Sequence, residues 1–193
     1  MLEKIVAIDH AVLIYLNNLG SSEYDRFWLY LTKFGHWWPL FALLLYGVYR
    51  EYGVKKTLIF LLCIALLITF TDQVTNLFKH GFQRLRPCNN PDINLLIRVV
   101  KDSNSFSFFS GHAANTMAVA VFLYQVFNPK YRYLWLLFAW PIVFAYSRIY
   151  LGLHFPSDIL CGFLFGMLTG NMMYVFYKKY LNAWFFRNTK FHK

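Results

Sequence analysis

His154 and Asp158 stand four residues apart in the stretch 147–158, Ser-Arg-Ile-Tyr-Leu-Gly-Leu-His-Phe-Pro-Ser-Asp, which lies between two apolar runs. On a helix that spacing puts both side chains on one face. An Asp so placed can hold one imidazole nitrogen and leave the other free to attack. Arg148, just upstream, suits bidentate binding of an oxyanion. Ionisable groups at membrane depth are costly unless they are paired and used. Two more groups share this character. Lys79 and Arg86-Pro87 form a Lys-x6-Arg-Pro spacing, and Ser110-Gly111-His112 opens another apolar run. No Cys/His cluster has zinc spacing, no paired carboxylates suggest a two-metal site, and no Gly-rich loop suggests nucleotide binding. What these residues suit is metal-free phosphoryl transfer. Lys79, Arg86 and Arg148 would neutralise the phosphoryl oxygens, and a helix start at Ser110-Gly111 would add backbone N–H donors. Each group also has a plainer reading: an interfacial ion pair, headgroup-binding cations, a helix cap. Only their joint occurrence separates the two.

The elements that must position them are helical. Of the 193 residues, 58% are hydrophobic, 21% aromatic and only 15% charged, and the net charge is +10. That balance excludes an ordinary soluble domain and points to an integral membrane protein of a single domain, 1–193. The positive charge suits topology-setting loops and anionic lipid, not nucleic acid. The three cysteines, Cys63, Cys88 and Cys161, form no evident pair. Residues 2–19 carry apolar side chains at helical spacing, with Asp9 as the exception to the pattern, and read as an interfacial amphipathic helix, or as a sixth span if they cross. Ser22 and Asp25 have the spacing of a capping box. Five spans follow, at 24–49, 57–78, 110–127, 131–150 and 157–180, with a short basic loop at 50–56 and kinks expected near Pro39 and Pro141. Asp72, Asn76 and Lys79 form a polar stripe at the end of the second span, and Asn115 is expected to face the same cavity. Gly162, Gly166 and Gly170 have the close-packing period of membrane helices. The expected fold is an all-α membrane bundle. Five spans put the long connection 80–109 and the 147–158 turn on one side, as a shared site requires.

In this order and spacing, Lys79-x6-Arg86-Pro87, Ser110-Gly111-His112 and Ser147-Arg148-x5-His154-x3-Asp158 resemble the motifs of the type 2 phosphatidic acid phosphatase family, relatives of vanadium haloperoxidases and bacterial acid phosphatases. The resemblance covers roughly 57–170. It implies a membrane-embedded lipid phosphatase that acts through a phosphohistidine without a cofactor or metal. His154 would be the nucleophile, Asp158 its partner, and His112 the acid that protonates the leaving oxygen and then the base that activates water. Lys79, Arg86, Arg148, Ser110 and Gly111 would bind phosphate. One departure stands out: Phe109 occupies the place of the family's proline before Ser110.

The substrate is expected to be a lipid phosphate with its tail in the bilayer: undecaprenyl diphosphate, lipid A, phosphatidylglycerol phosphate or phosphatidic acid. Arg84, Arg98 and Lys101, in the long loop, are expected to govern which. Arg50, Lys55, Lys56, Lys130, Arg132, Lys178, Lys179, Arg187, Lys190 and Lys193 lie on the side away from the site. That bias puts them in the cytoplasm and the site at the outer face of a bacterial inner membrane. Two rival readings use the same pocket: a non-enzymatic transporter or binding protein for anionic lipid, and a vanadate-dependent haloperoxidase relative.

Overall fold

A computed structural model describes residues 1–127 and 131–182. The turn expected at Asn128-Pro129-Lys130 and the basic tail beyond Asn182 lie outside the described residues. The architecture is helical, with no strand among the described residues: α1 (Leu2–Asn18), α2 (Asp25–Leu31), α3 (Trp38–Phe82), α4 (Gly111–Phe127), α5 (Ala139–Tyr150) and α6 (Pro156–Phe176).

The centre of the bundle is the pair α4 and α6, and its closeness follows from glycine. A Cβ on Gly162 would fall 2.7 Å from the Ser110 carbonyl oxygen, and one on Gly166 or Gly170 would fall 2.4 Å from the carbonyl oxygens of Ala114 or Ala118. With no side chain at these positions, backbone meets backbone, as the four-residue period predicted. α3 covers the other side of α4. Phe60, Cys63, Leu67, Thr71 and Thr75 are its buried face, while Leu58, Leu62, Leu66, Phe70 and Leu77 point outward and are exposed. An outward belt of this kind is unusual for a protein surrounded by water and suits lipid. Two stretches among the described residues are long and apolar enough to cross a membrane, Phe34–Asn89 and Pro156–Tyr180.

Several expected boundaries move. The span expected over 24–49 is divided, because the end of α2 is closed by side chains. The Trp37 indole donates to the Leu31 carbonyl (2.8 Å) and His36 Nδ1 to the Tyr30 carbonyl (2.8 Å), satisfying acceptors that a longer helix would have used. Pro39 then lies in the first turn of α3 rather than at a kink, and Pro141 likewise lies in the first turn of α5, where a missing N–H costs nothing. The loop expected at 50–56 is helical except at Gly53, whose φ of 72° only glycine adopts freely. α3 runs on to Phe82, so Lys79 sits in its last turn, and Gln83 closes the helix by donating its N–H to the Lys79 carbonyl (3.0 Å). The capping box expected at Ser22 and Asp25 does not form; Asp25 instead pairs with Arg98 (2.9 Å) and accepts from the Tyr150 hydroxyl (2.8 Å).

α1 is turned the other way from a water-facing amphipathic helix. Asp9, Leu13 and Asn17, at helical spacing, are its buried residues, while Ile5, Ile8, Val12 and Tyr15 are exposed. Asn17 holds the connection after α3 to the end of α5. Its amide donates to the carbonyls of Arg98 (3.1 Å), Ile149 (3.1 Å) and Tyr150 (2.9 Å), and its oxygen accepts from the Arg98 N–H (2.7 Å). The long connection is thereby folded onto the bundle without a helix longer than a single turn. Its further ties are Cys88 N–H to the Gly152 carbonyl (3.1 Å) and Ser107 N–H to the Arg84 carbonyl (2.8 Å).

Candidate active site

α5 ends at Tyr150 and α6 begins at Pro156, so His154 lies in the tight link between them, on a turn where Gly152 has a φ of 75°. A Cβ at Gly152 would also press on the Arg98 carbonyl at 3.2 Å, so the link and the long connection meet through glycine. His154 and Asp158 are fully buried. Asp158 occupies the first turn of α6, where its Oδ2 accepts from the Phe155 N–H (2.9 Å) and faces His154 Nδ1 at 3.4 Å.

The other imidazole nitrogen is defined by Arg86. The Arg86 guanidinium is held by the Ser105 carbonyl (2.9 Å), the Ser105 hydroxyl (2.8 Å) and the Leu153 carbonyl (3.0 Å), and its Nη1 reaches His154 Nε2 at 3.1 Å. An arginine only donates. Nε2 therefore carries a lone pair, and the ring proton sits on Nδ1, toward Asp158. Burial, followed by the charges of Arg86, Arg148 and Lys79, pushes the His154 imidazole well below its usual range, so it is neutral near pH 7. A buried, neutral imidazole with its lone pair among cations is arranged to attack an electrophilic phosphorus.

The remaining sequence-selected residues gather around it. Arg148, almost fully buried, donates through Nη1 to the Thr32 hydroxyl (2.6 Å), while its Nε has no hydrogen-bond partner among the described residues. His112, at the start of α4, is exposed on its open side and stacks on Phe144 with ring centroids 5.5 Å apart. Its strongest electrostatic neighbours are Arg148, His154, Lys79 and Arg86. Lys79 Nζ would lie 3.8 Å from a Cβ at Gly111, which brings the last turn of α3 to the first turn of α4. Ser110 is buried; its N–H donates to the Asp158 carbonyl (3.1 Å) and its hydroxyl accepts from Ala113 N–H (3.4 Å), tying the start of α4 to α6. Of the polar stripe expected on α3, Asp72 meets α4: Asn115 donates to Asp72 Oδ1 (3.0 Å) and is bonded to the Thr71 hydroxyl. Phe109, in the place of the family's proline, packs into the bundle. Its ring is buried between Phe78 (5.3 Å) and Phe165 (5.2 Å), which fixes the approach to Ser110 by packing.

Two assignments change. Arg84 and Arg98, expected to face substrate, are turned into the protein: Arg84 donates to Asp158 Oδ1 (2.8 Å) and Asp9 Oδ2 (2.7 Å), and Arg98 pairs with Asp25. Asp9, Ser105, Thr32 and Ser157 were not singled out as site residues, and Arg84 was expected only to govern the choice of substrate. The only hint for Asp9 was its misfit with the polar face of α1; Arg84 could have been suspected because, in an extended segment, it shares a side with Arg86. Of the other histidines, His10 stacks on Phe155 at 5.2 Å and His36 on Tyr30 at 3.8 Å, both structural contacts. The three cysteines are free.

The sequence model of the PAP2 superfamily matches residues 56–181. The lipid A 4'-phosphatase of Bacteroides thetaiotaomicron is 34% identical over 178 residues, 90% of this chain and 79% of that protein. The undecaprenyl-diphosphatase of Sulfolobus acidocaldarius is 31% identical over 72% of this chain and 63% of its own length. In fold, the crystal structure of a transmembrane PAP2-type phosphatidylglycerolphosphate phosphatase from Bacillus subtilis superimposes with a TM-score of 0.70 at 20% identity, over 92% of this chain and 88% of that one. The chain belongs to the PAP2 superfamily, the type 2 phosphatidic acid phosphatases, and by that membership it is a lipid phosphatase.

Proposed function

We propose that this protein removes a phosphate from a membrane lipid without a metal, through a phosphohistidine on His154. One observation carries the reading: the Nε2 lone pair of a buried neutral imidazole points at Arg86 while Nδ1 faces Asp158. An arriving phosphate takes the guanidinium donor for its own oxygen and leaves Nε2 facing phosphorus. Nε2 then forms the N–P bond as the bond from phosphorus to the lipid oxygen breaks, and His112 gives that oxygen its proton. Asp158 stabilises the charge that develops on the imidazole. In the second half, His112 takes a proton from water, the water oxygen bonds to phosphorus, and the N–P bond breaks to release inorganic phosphate. Lys79, Arg86, Arg148, the Ser110 hydroxyl and the Gly111 N–H hold the phosphoryl oxygens as charge spreads over them.

The substrate we favour is the phosphorylated sugar lipid of the outer leaflet, lipid A, attacked at its 4'-phosphate. That choice is supported by the extent of the similarity to the Bacteroides thetaiotaomicron enzyme. An apolar cavity of about 300 Å³, lined by Phe34, Phe41, Val48, Phe60, Ile64 and Trp140, offers room for a tail. Phe34 adjoins Phe144 at 6.1 Å, and His112 stacks on Phe144, so one buried ring separates the cavity wall from His112. We place the chain in a bacterial inner membrane with five spans, α1 at the interface, and the site facing the periplasm. The test is phosphate release in detergent from lipid A, undecaprenyl diphosphate, phosphatidylglycerol phosphate and phosphatidic acid, each with EDTA. The expected outcome is EDTA-resistant release, fastest from lipid A and absent in His154→Ala. Binding without release would turn the reading toward a transporter, and release that stops with EDTA would remove the metal-free mechanism.

A further inference from the structure

Behind His154, on the side away from the phosphate-binding cations, a second charge cluster joins three elements distant in sequence. Arg84, in the segment after α3, donates through Nη1 to Asp158 Oδ1 (2.8 Å) and to the Ser157 hydroxyl (2.8 Å), and through Nη2 to Asp9 Oδ2 (2.7 Å). Asp9, on α1 and 7% exposed, closes the cluster: Oδ1 accepts from the Ser157 N–H (2.8 Å) and Oδ2 from the Ser157 hydroxyl (2.5 Å). The guanidinium carbon of Arg84 also lies 3.8 Å over the Phe155 ring. The Asp158 carboxylate is thereby divided. Arg84 holds Oδ1, and Oδ2 is left for the Phe155 N–H and the imidazole.

We infer that Asp9 and Arg84 are positioning residues of this site: Arg84 fixes the rotation of the Asp158 carboxylate and draws off part of its charge, and Asp9 limits that draw by neutralising Arg84. The proton affinity of His154 is in this way set from α1. The inference rests on His154 being the nucleophile. A carboxylate offset by a paired guanidinium holds an imidazolium less strongly than a bare one, and a counter-carboxylate restores part of the hold. The two residues thus push His154 in opposite directions, which a purely mechanical brace would not do. The other charged groups facing His154 are Lys79 from α3, Arg86 from the long connection, His112 from α4 and Arg148 from α5, and substitution at 9 or 84 leaves all of them in place.

The experiment is the pH dependence of kcat/KM for a releasable lipid phosphate, with wild type, Arg84→Gln, Asp9→Asn, the double variant and His154→Ala side by side. The acid limb reports loss of activity as the free nucleophile is protonated; ionisation of the substrate is common to all variants and cancels. Arg84→Gln is expected to move this limb to higher pH and Asp9→Asn to lower pH, each by about half a unit or more for charges at this range, with the double variant between them. Arg84→Gln is also expected to lower kcat roughly tenfold with KM little changed, as for supporting partners of other reactive histidines. Asn at 9 keeps an acceptor for the Ser157 N–H. If Arg84→Gln does not fold, Arg84→Lys, which retains the charge, is expected to keep the wild-type limb while Asp9→Asn still moves down. Unmoved limbs, or limbs moving in the same direction, in active variants overturn this inference alone. A His154→Ala enzyme that still turns over overturns the nucleophile assignment and this inference with it.

Discussion

Arg86 shows how much one residue is asked to do in this site. Its Nε and Nη2 are fixed by Ser105, which leaves Nη1 aimed at the Leu153 carbonyl and His154 Nε2. The fork geometry is what presets that aim, and lysine cannot reproduce it. Arg86→Lys is therefore expected to keep the charge but lose the preset donor, with kcat/KM falling about 10²-fold, the usual loss for one donor to a developing oxyanion. Steady-state kinetics on a lipid phosphate checks this, and a change under threefold would contradict it. At this scale the sequence was most informative where residues of one site are close neighbours in the chain. His154 and Asp158 are four apart, and although His154 precedes α6 rather than lying on it, so short a separation still brings the two side chains face to face. Asp9 and Arg84 are 75 positions apart, and nothing local links an aspartate on an amphipathic helix to an arginine in a loop.

At the scale of the element, α4 and α6 hold the two histidines in register. The Ser110 N–H reaches the Asp158 carbonyl only because Gly162 lets the α4 backbone come close. Gly166→Val tests that dependence one turn further along, where a Cβ would fall 2.4 Å from the Ala114 carbonyl oxygen and 2.9 Å from the Met117 Cβ. The helices must part, and the expected cost is about 1–3 kcal/mol, read as a lower melting temperature in detergent together with lost activity. A variant with wild-type stability would mean that the two helices do not need this contact. The glycine period was legible because it depends on size alone. The orientation of α1 was not. Reading polar residues as the outward face assumes water outside; here Asp9 and Asn17 turn inward to the site and Ile5, Ile8 and Val12 turn out. The break after Leu31 was in part legible. Thr32, Lys33, Gly35 and His36 interrupt the apolar run there, and the side-chain bonds of His36 and Trp37 to the carbonyls at the end of α2 close the helix.

At the scale of the whole molecule, the exposed apolar belt on α3 and α6, including Leu62, Leu66, Leu164 and Leu168, fits a protein whose solvent is lipid. Lys55 and Lys56 open the part of α3 that follows the bend at Gly53, and Lys79 lies in its last turn, so opposite ends of that part carry the topology signal and the phosphate site. Reporter fusions placed in the 88–105 connection and after Lys193 are expected to report the periplasm and the cytoplasm respectively. A cytoplasmic signal from the connection would invert the proposed orientation.

In the proposed mechanism a bare imidazole, without a metal, becomes phosphorylated. The most direct measurement is to mix purified protein and EDTA with a lipid carrying a labelled phosphate, quench within a turnover, and follow label on the chain. A bound phosphoryl group that is stable in base and released in acid, as expected of a nitrogen–phosphorus bond, should be present in the wild type and absent in His154→Ala. Label that persists in His154→Ala would contradict it, as would turnover in which no phosphorylated enzyme forms at any time.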